Sequence, residues 1–271
     1  MNKDVQRTEV LITVMTYPLP SKGYQELVCT AGITKTSEWI RLYPVSYRYL
    51  SNDQKYHKYQ WIDVEFETRG KGNDQRKESR KPISDTINII GKPISTKNDW
   101  AERRAIIDKL PHFTLNQYKE QYEVDKTSLG IVRPTRILDM KIEETNREWK
   151  PEWEAILRQM TMFGDQPKEL AKIPYKFSYI FECEDSKIPH TAMCEDWELG
   201  VLYLNEVKRL GSEEKAAKSV RHKFLDDLCS PKNDTRFFMG TVFPYNTWVV
   251  LGVFYPPKIE QSDKPVQLSL F

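Results

Sequence analysis

Val28-Cys29-Thr30-Ala31-Gly32-Ile33, followed closely by Trp39-Ile40-Arg41-Leu42-Tyr43-Pro44-Val45, sets the expected fold class. Both stretches are rich in β-branched and aromatic residues, the signature of strands. Pro44 ends the second, because a proline cannot donate to a ladder. Working outward, Glu9 to Thr16 is Val-, Ile- and Thr-rich and reads as an earlier strand. Tyr17-Pro18-Leu19-Pro20-Ser21-Lys22-Gly23 breaks it. On the other side, Trp61-Ile62-Asp63-Val64-Glu65-Phe66-Glu67 alternates apolar and acidic residues with period two, the mark of a half-buried strand.

The rest of the chain mixes the two periods. Asp99 to Leu110 has helical spacing with Asp99 as a cap, and Leu115 to Tyr122 is a second helical stretch. Ser128 to Lys141 returns to strand character around a turn at Arg133-Pro134. Residues 146–174 read as a helical connector punctuated by Pro167 and Pro174. Beyond it, Tyr175 to Cys183 is an aromatic strand. Helices are expected over Trp197 to Leu210 and Ser212 to Leu228, the latter with a good cap and an acidic first turn. Arg236 to Thr241 and Thr247 to Phe254 are two final strands. No internal repeat is visible. The expected fold class is α+β: a β-rich N-terminal domain over 1–145, the connector over 146–174, a mixed helix and strand domain over 175–258, and a flexible tail over 259–271.

The Cys-x-Ala-Gly strand and the Trp-Ile-Arg strand of the opening block resemble a bacterial group described as having dual OB domains. The match covers about the first fifty residues. It implies an OB-like barrel, a fold whose members often bind oligonucleotides. The residues give their own hint. Trp39 and Tyr43, with Tyr47 and Tyr49, interleave with Arg41 and Arg48, and single strands are held by aromatic platforms plus cations. The alternative is that the strand's alternate residues face a core. From Arg69 to Lys81 the chain carries six cations (Arg69, Lys71, Arg76, Lys77, Arg80, Lys81) against Asp74 and Glu78, and reads as a loop without core residues. Its glycines let backbone approach a phosphate; the alternative is a solvated surface loop.

The last five residues, Gln267-Leu268-Ser269-Leu270-Phe271, are similar to the peptide by which bacterial and phage replication and repair proteins dock onto the β sliding clamp. In that motif a Gln leads, a Leu follows, a small or acidic residue spaces, and a Leu-Phe pair fills an apolar pocket. The preceding Ile259 to Val266 is mostly polar and reads as a linker. The resemblance implies the bacterial sliding clamp as a partner, work in DNA replication or repair, and a setting that includes mobile elements. A last strand folded onto the protein's own core is the competing account.

Bulk properties narrow the classes. With 271 residues, 39% hydrophobic and 30% charged, the chain can pack a soluble core. The formal net charge is only +2, so DNA contact needs a local patch. No apolar run is long enough to span a membrane. Cys29, Cys183, Cys194 and Cys229 do not make a disulfide framework in a chain this long, which places the expectation in a reducing cytoplasm. Cys183, His190 and Cys194 are the zinc-type residues lying closest together, but Cys-x6-His-x3-Cys is no standard zinc spacing. No metal and no cofactor are expected. Clustered carboxylates around His190, with Asp196 and Glu198, suit a metal-dependent nuclease as an alternative, although Glu195 and Asp196 are also what a helix start favours. No nucleotide loop, nucleophile elbow or zinc-protease motif occurs. The leading expectation is therefore a DNA-associated accessory protein docked on the clamp, leaning against an enzyme. The alternatives are a clamp-recruited nuclease and a pure protein–protein interaction module.

Overall fold

Five strands of the N-terminal half close on one another. The structure, a computed structural model, describes residues 5–21, 25–67, 74–154, 170–242 and 247–259. β1 (Val5–Met15) pairs antiparallel with β3 (Gln25–Thr34), and β3 pairs with β4 (Trp39–Val45); the short β2 (Leu19–Ser21) lies against β3. β5 (Trp61–Glu67) returns to pair with β1, Val5 opposite Glu67 and Leu11 opposite Trp61. The remaining gap is filled by β6 (Ser79–Pro82), parallel to β4 and antiparallel to β5. The circuit β1-β3-β4-β6-β5-β1 is a closed barrel, with β7 (Asn88–Ile90) added beside β5. The stretch expected to be a plain loop up to Lys81 thus ends in the strand that completes the barrel. Its Ser-Arg-Lys-Pro sequence carries no strand signal, because its place is set by backbone pairing.

Inside this barrel lie Val10, Ile12, Val28, Ile40, Leu42, Ile62 and Val64, all buried. Period two along β1 and β5 delivers them to one face. Where β3 crosses β1 the approach is very close. A Cβ on Gly32 would lie 2.2 Å from the Leu11 carbonyl oxygen and 2.6 Å from Val10 Cγ1. Gly32→Val should therefore prise the two strands apart and lower stability by about 1–3 kcal/mol, the usual range for overpacking. An unchanged urea midpoint would show that this glycine does not set the spacing.

After α1 (Lys97–Ile107) and α2 (Leu115–Asp125), the second half follows the same path. Asp99, expected as the cap of α1, instead lies with Asn98 and Trp100 in a left-handed turn, φ 51° to 64°. α2 opens on a reciprocal cap between Thr114 and Gln117. β8 (Leu129–Val132) runs through residues 133–135 into β9 (Arg136–Glu144). β9 pairs with β10 (Tyr175–Cys183), and β10 with β11 (Ser186–Met193). A parallel bridge, Cys194 to Val250, links the end of β11 to β13 (Thr247–Phe254), which pairs with β12 (Arg236–Val242), and β12 pairs back to β8. Strand for strand this is the order of the first barrel, with α3 (Trp197–Leu210) and α4 (Glu213–Arg221) between the third and fourth strands. α3 and α4 are capped by Asp196 and Ser212. The sequence boundary expected at 145/146 falls after β9; β8 and β9 pair with β12 and β10. Residues 155–169 of the connector and the tail beyond residue 259 lie outside the described residues.

Beside a core within each half, a third joins them. Leu11, Val14, Ala31 and Ile33 on the outside of the first barrel pack against Ile131, Phe238, Val249 and Leu251, with Trp100 and Ile107 of α1 filling the side. Full burial of each large side chain contributes about 1.5–3 kcal/mol, so the two barrels hold each other.

Candidate nucleic-acid interface

That third core decides which expected contact residues reach solvent. Ile40 and Leu42 of β4 point into the first barrel, so Trp39, Arg41 and Tyr43 share its outer face, and the second half covers much of it. Trp39 packs edge-on against Phe238 at 5.8 Å. Arg41 is only 1% exposed; its guanidinium donates to the Ser128 carbonyl at 2.9 Å and to Cys29 Sγ at 3.1 Å. Glu78, also buried, accepts from Ser128 N–H at 3.0 Å. Arg76 is 5% exposed, lies over the Tyr43 ring, and donates to the Thr241 carbonyl at 2.9 Å. Burial pushes the Tyr43 hydroxyl above its ordinary value. Arg41, Tyr43 and Arg76 thus join the barrels rather than face a ligand. Arg48 sits elsewhere, 2.7 Å from the buried carboxylate of Glu26. Lys81 is exposed beside Glu67. Arg69 and Lys71 lie outside the described residues.

Three of the expected residues do converge. Trp39, Lys77 and Arg80 line one groove of about 550 Å³ between the first barrel and α2, together with Arg7, Phe66 and Phe113. Topology brings them together: Trp39 starts β4, Arg80 lies on its parallel neighbour β6, and Arg7 comes from β1, which pairs with β5 beside Phe66. Arg80 donates to the Lys77 and Ser79 carbonyls at 2.9 and 2.8 Å and lies 6.0 Å from the Phe66 ring; no carboxylate among the described residues pairs with it. Lys77 bonds Asp125 at 2.5 Å, and this bond, helped by Thr127, holds the Asp125 carboxyl down at about 2. Arg7 bonds Asp63 at 2.8 Å. Trp39 Nε1 is buried and, among the described residues, has no hydrogen-bond acceptor; being shut off from solvent, it leaves the indole ring, not the N–H, as what Trp39 shows the groove. Aromatic surface beside cations is the combination that holds single strands, and of the three cations here Arg80 is the one without a carboxylate partner among the described residues. Sequence reasoning missed Arg7, Phe66 and Phe113 because they come from distant segments; only the barrel closure makes them neighbours.

Two family models divide the chain at the link between α1 and α2. One, a domain of unknown function (DUF8758), matches residues 6–109. The other, a domain of unknown function (DUF8757), matches residues 112–271. The chain belongs to the DUF8757 family. No curated protein matches it. Among solved structures, a replication protein A heterotrimer bound to ssDNA is similar at 11% identity and a TM-score of 0.25, over 95% of this chain and 67% of that one. The likeness is remote.

Within the DUF8757 segment lie the residues of the nuclease alternative. Asp196 is 2% exposed and accepts from Lys58 Nζ at 2.6 and 2.7 Å; Glu198 accepts from the same ammonium at 2.9 Å. Burial alone would push Lys58 down, but the two carboxylates outweigh it and hold it well above its ordinary value. Both acids are engaged by a cation of the first barrel, and Asp196 also caps α3. His190 faces another direction, toward Phe181, Cys183 and Asp185; burial, then Lys119, pushes its imidazole below its ordinary value. Among the described residues the three therefore form no common metal-binding group. No helix among them is long and apolar enough to cross a membrane.

Proposed function

We propose that the protein is an accessory factor that holds single-stranded nucleic acid along the Trp39–Lys77–Arg80 groove and docks on the bacterial β sliding clamp through Gln267 to Phe271. The observation that carries the nucleic-acid reading is the gathering of Trp39, Lys77 and Arg80 with Arg7 in one groove. Two halves of the same strand order that share a packed apolar seam offer a platform suited to a strand. The clamp reading rests on the five-residue match alone; Gln267, Leu268, Ser269, Leu270 and Phe271 lie outside the described residues. The two readings support each other, because a weak strand-binding site gains effective concentration when a second contact holds it near DNA. DNA in replication or repair is the nucleic acid that a clamp partner would meet.

Fluorescence anisotropy with a labelled single-stranded oligonucleotide tests the groove. Lys77→Glu/Arg80→Glu should weaken binding about tenfold or more and lower the slope of log affinity against log salt by about 1.4, some 0.7 for each phosphate that is no longer neutralised. Trp39→Phe, which keeps the ring against Phe238, should weaken it less and leave the salt slope unchanged. Retention equal to wild type in the charge-reversed protein would sink the groove. Absence of any oligonucleotide retention would leave a protein–protein interaction module.

A further inference from the structure

The tip of the β10–β11 hairpin brings together a ligand set that the chain spacing hid. Cys183 ends β10, Asp185 lies in the turn, and His190 follows on β11. Their ligand atoms all lie within 4.8 Å of one another. Phe181 pairs with His190 in the ladder, so the Cys183 and His190 side chains leave the hairpin on one face, toward the start of α2. Cys194, which the sequence groups with them, is not part of this set; it bridges to Val250.

From this geometry we propose a mononuclear transition-metal site, of the zinc class, with Cys183 Sγ, Asp185 carboxylate and one His190 ring nitrogen as its protein ligands.

Four observations carry it. Thiolate, imidazole and carboxylate are the donor types zinc takes, at about 2.0–2.3 Å. Donors on a tetrahedral ion then sit roughly 3.3–3.7 Å apart, so side-chain rotations of about an ångström complete the site. His190 Nε2 is buried and, among the described residues, has no hydrogen-bond partner, which an imidazole at a plain surface turn would find in water. The flanking groups are also in place: Thr114 donates its hydroxyl to Asp185, and the Leu115 N–H bonds Cys183. Such outer partners fix ligand orientation in metal sites. Lys119 on α2 is the opposing charge nearby; against it stand the Cys183 thiolate, Asp185 and the neighbouring Glu184. Binding releases the Cys183 thiol proton to solvent and leaves one position for water. The ion would fix the hairpin tip, which Thr114 and Leu115 link to the start of α2, and Phe113, Tyr118 and Gln121 there line the groove.

Cobalt(II) added to chelator-treated full-length protein tests the site. One ion per chain should bind, with a near-ultraviolet thiolate-to-cobalt band. Cys183→Ser should abolish the band, Asp185→Asn should weaken cobalt binding more than about tenfold, and Cys194→Ser should change neither. Zinc should displace the cobalt and raise the melting temperature of wild type but not of His190→Gln. Should Cys183→Ser fail to fold, the Asp185→Asn and His190→Gln proteins decide the matter, both losing cobalt affinity. A wild-type protein without the thiolate band, a band that survives in Cys183→Ser, or cobalt affinity unchanged in both Asp185→Asn and His190→Gln overturns the proposal.

Discussion

Lys58→Met should lower the stability of the folded protein by about 3–5 kcal/mol, the cost of stranding one member of a buried ion pair. Lys58 and Asp196 side chains are 10% and 2% exposed, and the ammonium reaches both Asp196 oxygens. Removing it leaves a carboxylate that water cannot reach and that still caps α3. The contact joins the two halves: Lys58 belongs to the first barrel, while Asp196 bridges to Thr16 and begins the helix of the second. Urea unfolding followed by tryptophan fluorescence measures the loss. Glu198→Gln, by contrast, removes a partner whose side chain is 65% exposed and should cost no more than about 1 kcal/mol. Lys58→Met/Asp196→Asn should recover much of the single variant's loss, since neither charge then remains. The sign with pH follows from the raised lysine. Its contribution is fully present below the unfolded value of about 10.4 and is lost only as the solution becomes strongly alkaline. A Lys58→Met protein within about 1 kcal/mol of wild type would mean that Asp196 finds another partner or is protonated.

The same seam explains what the sequence could and could not show. Trp61 to Glu67 alternates cleanly, and β5 occupies those residues; Trp197 to Leu210, preceded by the acids a helix start favours, is expected as a helix, and α3 follows. Alternation also places Trp39, Arg41 and Tyr43 on the face opposite Ile40 and Leu42. Local sequence cannot say whether that face meets solvent or another barrel. Here it meets Phe238 and Ser128, so an arginine that read as a phosphate contact became a buried tie. β11 escaped notice for a different reason. Ser186 to Met193 contains Pro189, and half of its residues are exposed, so neither period nor propensity marks it. The repetition of strand order between the halves leaves no internal sequence repeat, because backbone pairing repeats while the side chains differ; only the resemblance to a group with dual OB domains pointed to it. Of the candidate groove, the cations of residues 76–81 were legible as a cluster. Which of them faces outward, Arg80 rather than Arg76, depended on where the second half lies.

Leu270→Ala/Phe271→Ala should reduce affinity for a bacterial sliding clamp by close to a thousandfold while leaving oligonucleotide binding in the clamp's absence unchanged. Apolar anchors that fill a pocket at the centre of an interface contribute about 2 kcal/mol or more each, and two together give about 4 kcal/mol, at roughly 1.4 kcal/mol per tenfold. Ser269→Ala, at the spacer position, should change affinity less than about threefold. The split between the two assays separates tether from groove. On clamp-loaded DNA the tail would raise the local concentration of the groove toward the millimolar range, so the tail variant should lose retention there even though its intrinsic strand affinity is intact. Lys77→Glu/Arg80→Glu should do the reverse, keeping clamp affinity and losing the strand. Surface plasmon resonance against immobilised clamp gives the first number, and anisotropy gives the second. If the double-alanine protein binds the clamp as wild type does, or if wild type does not bind it at all, the five-residue match is a coincidence of composition. The groove would then have to find its nucleic acid without a tether, and a site of three cations and one indole ring is too small to do so tightly at physiological salt.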